Sequence, residues 1–318
     1  MFTVIAENAS MIVMDVLSEL CREPTDFGSE SVKPEWDAVG PRGLGTRELR
    51  NTWYRLEDVT KCATWLPGRN LNYPFMVAEW LWIYLGRDDL EMIKYYNANI
   101  AKFSDDGEKF YGAYGPRWRG QIGGCIERLR KDPDSRQAVL ALWRESYNRV
   151  SNLGGYMSTK DVPCTLVMQY MIRRGKLEAS VCMRSSDTWL GLPYDLFNFA
   201  MLQRCVAAEL QLQPGPLTLA IGSSHLYDSN LDAAKALVER WNDPHANVPD
   251  TCRLIMPPAP RVYAMWNIME RETQLRMLND IEEHPCDIAW MPWLSMLAYR
   301  EHRSHELVDP TLQPLVQS

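Results

Sequence analysis

The sequence lacks the short motifs that mark several common kinds of site. It has no HExxH motif, no GxxxxGKS or GxxxxGKT phosphate loop and no GxGxxG loop. It therefore signals no zinc hydrolase, P-loop enzyme or dinucleotide-binding protein. Eight cysteines are scattered without a CxxC pair, and five histidines form no cluster with them. This pattern excludes zinc-ligand spacing and a small disulfide-stapled fold. We expect no metal, and thiols in the reduced form.

Basic charge and long apolar runs are also scarce. With 34 basic and 41 acidic residues the formal net charge is −7, which excludes a surface-wide basic field for direct nucleic-acid binding. The longest apolar stretch, Phe75–Leu85, is interrupted by Glu79 and falls short of the ~20 residues that a membrane span needs. Residues Met1–Glu19 include Glu7 and Asp15 but no basic segment. We therefore expect no secretory signal and a cytoplasmic location.

The remaining composition is that of a folded protein. Of the 318 residues, 46% are hydrophobic and 24% are charged, which is enough apolar surface for a sizeable core. No repeat or low-complexity tract divides the chain, and its turn-rich stretches are too short to act as linkers. We therefore expect a single domain over residues 1–318.

Periodicity predicts a mixture of helices and strands. Apolar residues at helical spacing predict helices over Met11–Arg22, Tyr73–Leu85, Asp88–Lys102, Asp195–Leu210 and Asn230–Trp241. Short apolar runs predict strands over Gln137–Arg144, Thr165–Ile172, Lys176–Arg184 and Pro216–Ile221. The residues Arg173-Arg174-Gly175 between two of these strands predict a hairpin turn. The fold class that follows is α+β.

The predicted hairpin brings a cysteine close to an arginine. Cys164 follows Pro163 at the entrance to one strand, and Arg184 lies at the far end of the next. A nearby guanidinium lowers the pKa of a thiol, so the pair could form an activated nucleophile. Taken singly, each residue has an alternative reading: Cys164 as a small buried hydrophobe, Arg184 as a surface residue and His225 as a turn histidine.

Four short motifs follow one another in a specific order. They are Pro163-Cys164, Arg184-Ser185-Ser186-Asp187, Leu190-Gly191-Leu192-Pro193-Tyr194-Asp195 and Gly222-Ser223-Ser224-His225-Leu226-Tyr227. From Cys164 to Arg184, Asp195 and His225 the intervals are 20, 31 and 61 residues. This pattern resembles the thymidylate synthase family, whose signature is a nucleophilic PC, RSxD, LGxPxN and GxxHxY. Further matches are Glu79–Trp82, Gly112–Arg119 and Asp132–Arg136, so the motif-bearing core covers about 41–230, with 231–318 as the C-terminal part of the same domain.

The resemblance implies a fold, a partner and a covalent mechanism. The fold is a mixed β-sheet with packed helices, and the chain is an obligate homodimer with shared active sites. The Cys164 thiolate adds to C6 of a pyrimidine nucleotide, and C5 then attacks 5,10-methylenetetrahydrofolate, the one-carbon co-substrate. Glu79 organises proton transfers through water, and Tyr114 helps to remove the C5 proton.

The resemblance also assigns the binding residues. Arg184 and Ser185 hold the nucleotide phosphate, since guanidinium groups fit phosphate geometry. Further phosphate ligands are Arg42 and, from the second subunit, Arg136. The sugar 3′-hydroxyl is bound by His225 and Tyr227, and the folate by Asp187 and Gly191. The implied partners are a pyrimidine nucleoside monophosphate, folate and a second copy of the chain.

One departure from the family motif concerns the base. Thymidylate synthases have asparagine where this chain has Asp195. A carboxyl group suits cytosine, because one oxygen accepts from N4 and the other, if protonated, donates to N3. The alternative reading is a surface aspartate that caps a helix. The phage deoxycytidylate hydroxymethylases share this aspartate, and Met183 and Thr165 also resemble that branch. If the gene belongs to a phage, the expected location is the host cytoplasm.

Several functions remain open at this point. The leading hypothesis is C5 hydroxymethylation of dCMP. Its alternatives are a C5 methyltransferase on dCMP, a thymidylate synthase on dUMP, and a non-catalytic nucleotide-binding or structural homologue. A cysteine hydrolase would need a general-base histidine that no motif supplies. Ala101 replaces a family tryptophan, with Phe103 two residues on. The small side chain would admit water to the one-carbon group, which favours hydroxymethylation.

Overall fold

A mixed sheet organises the fold. The computed structural model describes residues 1–23, 35–39, 44–66, 68–144, 159–243, 255–259, 296 and 310–315, with the backbone alone for 35–39. Within these residues the sheet has seven strands: β1 (Thr3–Ala6), β2 (Glu35–Val39), β3 (Gly45–Leu56), β4 (Val139–Ala141), β5 (Thr165–Arg173), β6 (Lys176–Asp187) and β7 (Gln213–Tyr227). Their order is β1-β3-β7-β6-β5-β4, and β2 pairs with β3. The α+β class is confirmed.

The pairing of the central strands determines where the site forms. β7 runs antiparallel to β3 and parallel to β6, with Asp187 opposite His225 at the end of the parallel pair. Because the carboxyl ends of parallel strands meet at the same edge, the final residues of β6 and β7 lie together. β5 is antiparallel to β6, so its first residues lie at that edge too.

The hairpin between β5 and β6 is confirmed. Arg174 and Gly175 form its turn with φ values of 52° and 72°. Two consecutive positive φ angles are typical of a type I′ turn, whose twist matches that of the flanking strands. The turn therefore fixes the register that places Thr165 opposite Met183 at the other end of the hairpin.

Six α-helices accompany the sheet in the described part of the chain. They are α1 (Ala9–Cys21), α2 (Tyr73–Tyr84), α3 (Leu90–Tyr96), α4 (Tyr114–Lys131), α5 (Leu192–Glu209) and α6 (Leu231–Asn242). Side-chain caps begin some of these helices: the Asn8 side chain accepts from the backbone of Met11 at 2.9 Å, and Asn72 accepts from Phe75 at 3.0 Å. Helices α2, α4 and α5 contact one another or the sheet through a buried aromatic core that includes Trp80, Trp118, Tyr54, Tyr170 and Phe197.

Two predicted elements are shorter than expected, and others were not predicted. The helix predicted over Asp88–Lys102 is α3 followed by a 3₁₀ segment, Ala98–Phe103, because the Asn97 side chain accepts from the backbone of Asn99 and starts a new turn. The strand predicted over Gln137–Arg144 is reduced to β4. The elements absent from the prediction are α4, β1, β2 and β3. No helix of the described residues is long and apolar enough to cross a membrane.

The second face of the sheet carries a row of partly exposed side chains. Trp53 on β3 lies opposite Ala220 on β7, Ala220 lies opposite Cys182 on β6, and Cys182 lies opposite Val167 on β5. Trp53 is 44% exposed, and the other three are half-buried. Their neighbours along each strand point into the core, as the alternation of a strand requires. An apolar row therefore crosses four strands on the face away from the core.

Candidate active site

The predicted nucleophile, Cys164, and its neighbours lie at the edge of the sheet where β6 and β7 end. The backbone N–H of Arg184 donates to the carbonyl of Cys164 at 2.8 Å, so the cysteine lies directly beside the end of β6. The pairing of β5 with β6 shifts register between Thr165 and Val167. A bulge of this kind redirects the strand next to the cysteine. The predicted proximity of Cys164 and Arg184 is confirmed.

Arg184 packs along the segment that precedes the cysteine. Its Nε donates to the carbonyl of Pro163 at 3.0 Å, and Nη2 donates to the carbonyl of Val162 at 3.0 Å. Nη1 donates to Oγ of Ser185 at 3.1 Å, and that oxygen lies 3.8 Å from Sγ of Cys164. The guanidinium group thus positions both the backbone of the nucleophile and the serine next to it.

The ionisation of the thiol differs from the prediction. Burial raises the pKa of Cys164, and the Arg184 guanidinium lowers it by less, while the carboxyl groups of Asp195 and Asp161 raise it further. The expected lowering of the pKa by Arg184 is therefore present but outweighed by desolvation. The contribution predicted for Arg184 has the predicted sign, but burial is the larger effect and the pKa of the thiol is raised overall.

Tyr114 lies against the residue that follows the cysteine. As the first residue of α4, it accepts a hydrogen bond from the backbone N–H of Thr165 at 3.1 Å. Its ring stacks on Phe199 of α5, with centroids 6.3 Å apart. Burial raises the pKa of Tyr114 well above its usual range, so the hydroxyl stays protonated and can relay a proton.

Glu79 joins the site from α2. The side chain of Asn198 donates to its Oε2 at 2.8 Å. Burial raises the pKa of Glu79 to about 7, which suits a group that exchanges protons near neutral pH. Asn198 was not predicted from the sequence, although it lies three residues after Asp195 on α5 and so faces the same way. This spacing was the signal that could have found it.

Asp195 occupies the first turn of α5, and its carboxyl group turns inward. The hydroxyl of Ser186 donates to its Oδ2 at 2.9 Å. The pKa of Asp195 is raised to about 7, chiefly by burial and also by the nearby carboxyl groups of Glu79 and Asp187, while the Ser186 hydrogen bond lowers it. The helix begins at Leu192, and its N-cap residue, Gly191, offers no side-chain cap. The alternative reading of Asp195 as a capping surface aspartate is therefore wrong.

The end of β6 leads into a loop that offers a carboxylate beside apolar surface. Oδ1 of Asp187 accepts from the backbone of Trp189 at 2.8 Å and of Leu190 at 2.9 Å. Leu190 is 54% exposed, and the guanidinium of Arg69 lies 3.9 Å above the Trp189 ring. A carboxylate next to exposed apolar side chains fits a flat heterocycle that has hydrogen-bond donors, such as a pterin. The sequence did not single out Arg69 or Trp189.

Gly191 has little room for a side chain. Its N–H donates to the carbonyl of Asp187 at 2.8 Å, and an added Cβ would lie 3.2 Å from the same oxygen. A larger residue would therefore press against the loop that holds Asp187. This contact gives Gly191 a structural role next to the predicted folate position.

The predicted sugar ligands lie at the end of β7. The rings of His225 and Tyr227 are perpendicular, with centroids 5.1 Å apart. Nδ1 of His225 is buried and has no hydrogen-bond partner among the described residues. A buried nitrogen of this kind can serve a ligand hydroxyl.

Of the other two predicted arginines, only Arg136 lies within the described residues. Arg136 is exposed between α4 and β4, where its carbonyl accepts from the Gln169 side chain at 2.7 Å. Arg42 lies outside the described residues. The described part of the chain also holds no cluster of side chains that could bind a metal ion.

Comparison with known proteins gives the family. The thymidylate synthase family model matches residues 31–254, and these residues include strands β2 to β7 and the group around Cys164. The chain belongs to the thymidylate synthase family. The resemblance drawn from the motifs is thereby confirmed.

Two relatives are similar to this chain in sequence. A deoxyuridylate hydroxymethyltransferase of Bacillus phage SP01 is 31% identical over 243 residues, which are 71% of this chain and 59% of the relative. A thymidylate synthase of Buchnera aphidicola is 27% identical over 197 residues, or 58% of this chain and 70% of the relative. The chain thus spans about three fifths of the length of the phage relative.

Proposed function

We propose that the protein transfers a hydroxymethyl group to C5 of dCMP, with 5,10-methylenetetrahydrofolate as the one-carbon co-substrate. The observation that carries this proposal is the inward-facing carboxyl group of Asp195, which stands where thymidylate synthases have asparagine. Its raised pKa, about 7, keeps a substantial protonated fraction at neutral pH. A neutral carboxyl group offers the donor and the acceptor that cytosine N3 and N4 require.

The chain's own residues supply the nucleophile and the proton carriers. Cys164 forms a bond from Sγ to C6 of the pyrimidine ring. Its thiol proton passes to a proton acceptor in the site, because burial disfavours the free thiolate. Folate, when bound, supplies the one-carbon unit that C5 attacks. Glu79 then accepts or returns protons, and Tyr114 relays the proton that leaves C5. Arg184 and Ser185 hold the phosphate beside the cysteine.

The nature of the product depends on access of water to the one-carbon group on C5. Ala101 and Phe103 lie in the 3₁₀ segment Ala98–Phe103, and both are half-buried against the core. The small Ala101 side chain leaves space where the family has a tryptophan, and this supports attack by water. In ¹⁸O-labelled water we expect the label in the product hydroxymethyl group. Unlabelled 5-methyl-dCMP with dihydrofolate would instead identify a methyltransferase.

The proposal includes a homodimer in which each subunit completes the site of the other. The apolar row of Trp53, Ala220, Cys182 and Val167 supports self-association through the open face of the sheet, because apolar rows on a sheet face are favourable to bury. Arg136 is exposed in a single chain, so its side chain is available to complete the phosphate site of a second copy. The cytoplasmic location stays a prediction.

One experiment separates the candidate substrates and products. The protein is incubated with methylenetetrahydrofolate and dCMP, CMP or dUMP, and the nucleotides are analysed by mass spectrometry while absorbance reports dihydrofolate. We expect 5-hydroxymethyl-dCMP without dihydrofolate. Absence of any product from all three nucleotides would contradict the proposal and favour a non-catalytic homologue.

A second candidate is hydroxymethylation of dUMP. The name of the Bacillus phage relative, a deoxyuridylate hydroxymethyltransferase, favours it. Asp195 departs from the asparagine of thymidylate synthases, but a neutral carboxyl group can match either base, so the choice depends on which of its two oxygens carries the proton. Preferential conversion of dUMP in the same experiment would replace dCMP by dUMP in the proposal.

A further inference from the structure

The carboxyl group of Asp195 does not by itself choose between two bases. A neutral carboxyl group has one hydroxyl donor and one carbonyl acceptor, and the proton can reside on either oxygen. With the proton on one oxygen the group matches N3 and N4 of cytosine. With the proton on the other it matches N3–H and O4 of uracil. Base selection therefore needs a further contact that makes the two oxygens different.

Ser186 provides such a contact. Its hydroxyl lies 2.9 Å from Oδ2 of Asp195, and no described residue donates to Oδ1. The Ser186 residue is 3% exposed, so water cannot readily replace this hydrogen bond. Ser224, which lies opposite Ser186 on β7, is already bonded to Tyr54 at 2.7 Å and Thr188 at 3.1 Å. Asp195 is thus the side-chain partner of the Ser186 hydroxyl in the described part of the chain.

A donated hydrogen bond makes Oδ2 a poorer place for a proton than Oδ1. The Ser186 hydroxyl lowers the pKa of Asp195 against the effect of burial, as expected of a donor to the carboxyl group. A proton on Oδ2 would oppose this bond or force the hydroxyl to turn. In the neutral acid the proton therefore resides on Oδ1, and Oδ2 stays an acceptor.

We propose that Ser186 is a specificity-determining residue, which keeps Oδ2 of Asp195 as the acceptor for the cytosine amino group and leaves the proton on Oδ1 for N3. This inference rests on the proposed dCMP activity. Uracil would need the opposite arrangement, with Oδ2 donating to O4 and Oδ1 accepting from N3–H. Binding of uracil would then cost the Ser186 hydrogen bond, while binding of cytosine retains it.

The test compares base preference in Ser186 variants. The ratio of kcat/KM for dCMP to that for dUMP is measured for the wild type, Ser186→Ala and Ser186→Thr. We expect Ser186→Ala to lower this ratio by about tenfold, the value of one ordinary hydrogen bond. Ser186→Thr keeps the hydroxyl and should restore the ratio. Ser186→Cys, a near match in volume with a weaker donor, serves if Ser186→Ala does not fold, and it should also lower the ratio.

A matched control separates base selection from stability. Ser10 on α1 is fully buried, and its Oγ accepts from the backbone of Trp65 at 2.8 Å. Ser10→Ala removes a buried hydroxyl outside the site, so it should leave the dCMP to dUMP ratio unchanged. Equal losses for both nucleotides in Ser186→Ala would show a merely structural role and overturn the inference.

A second measurement tests the coupling to Asp195. In Asp195→Asn the donor and the acceptor are separate atoms, so the proton can no longer move between them. Ser186→Ala should then change the ratio by less than it does in the wild-type background. An equal change in both backgrounds would contradict the inference.

The outcomes distinguish this inference from the proposed function. If the wild type prefers dCMP and Ser186→Ala keeps the same ratio, the role of Ser186 fails and the proposed function stands. If the wild type prefers dUMP, the proposed base fails, and the assignment of Oδ2 to the amino group fails with it. If there is no turnover, calorimetric binding of dCMP and dUMP supplies the same ratio.

Discussion

At the scale of single residues, burial raises the pKa of four ionisable groups that the proposed chemistry uses. The Cys164 thiol and the Tyr114 hydroxyl both have raised pKa values, and the Glu79 and Asp195 carboxyl groups have pKa values of about 7. A site of this kind keeps its protons until a substrate arrives and then moves them over short distances. If Cys164 is the nucleophile, as we propose, it is protonated before the substrate binds, because its pKa is raised.

Replacing the nucleophile tests the covalent step. Cys164→Ser should reduce turnover by at least about a thousandfold, because a hydroxyl at neutral pH is far less nucleophilic than a thiolate. The fold should be retained, since the two side chains are similar in size. Turnover of dCMP and circular dichroism are measured together. A folded variant with substantial activity would rule out covalent addition through Cys164.

Replacing Asp195 tests its proposed role in recognising the nucleotide base. Asp195→Asn should shift the ratio of kcat/KM from dCMP towards dUMP by about a hundredfold or more, since the amide presents uracil with its donor and acceptor and leaves cytosine mismatched. Steady-state kinetics with both nucleotides measure the shift. A variant that loses activity on both nucleotides without any change of preference would contradict the role of Asp195.

The raised pKa of Asp195 also predicts a pH dependence of binding. The protonated form binds cytosine, so dCMP affinity should be high below pH 7 and should fall as pH rises through about 7, the pKa of the group. Calorimetry on the Cys164→Ser protein measures this binding without turnover. The facing carboxyl group of Glu79 titrates in the same range, so Glu79→Gln is the control. The pH dependence should persist in Glu79→Gln and vanish in Asp195→Asn.

At the scale of elements, two glycines offer a matched test of the fold. Gly175 has φ 72° in the β5–β6 turn, while Gly124 lies in α4, and an added Cβ meets nothing within 4 Å at either position. Gly175→Ala should destabilise the protein by about 1 kcal/mol through backbone strain alone. Gly124→Ala should stabilise it by about 0.5–1 kcal/mol. Urea unfolding measures both, and equal effects would contradict the type I′ turn.

Local signals explain which elements could be predicted from the sequence. The β5–β6 hairpin has a two-residue turn with glycine, and α1, α2, α5 and α6 have long periodic runs. Helix α4 was missed because four glycines and a proline interrupt its sequence, although its buried residues, Trp118, Ile122, Cys125, Ile126 and Leu129, keep helical spacing. Strand β3 was missed because its central residues, Arg50 and Asn51, are exposed and Asn51 has a positive φ. Its pairing with β7 joins residues far apart in the sequence, so no local sequence pattern indicates it.

The same distinction applies to the site. Cys164, Arg184 and Asp195 could be found because they stand in ordered motifs. Ser186 also stands in a motif, yet its role follows only from the contact with Asp195 across the loop between β6 and α5. The net rise in the Cys164 pKa could not be predicted either, because burial is a property of the folded core. Residue identity is therefore readable in sequence, while protonation state depends on packing.

At the scale of the whole molecule, our proposal links the open face of the sheet to the exposed Arg136, because a dimer formed through that face would place Arg136 near the partner's site. The row formed by Trp53, Ala220, Cys182 and Val167 is on the face away from the core, and Arg184 and Ser185, for which we propose phosphate binding, lie at the edge of the same sheet. Association through this face would bring loops of one copy near the site edge of the other. The single domain over residues 1–318 stays a prediction, since part of its C-terminal region lies outside the described residues.

Subunit mixing tests whether Arg136 acts across that interface. Arg136→Ala and Cys164→Ser proteins should each be inactive, but a hybrid dimer would have one site with both residues intact. An equal mixture should regain about a quarter of wild-type activity, since half of the dimers are hybrids with one working site. Mixing Arg184→Ala with Cys164→Ser is the control, because these residues contact each other within one chain and should not complement. If labelled subunits exchange and the Arg136→Ala mixture stays inactive, Arg136 does not serve the partner's site.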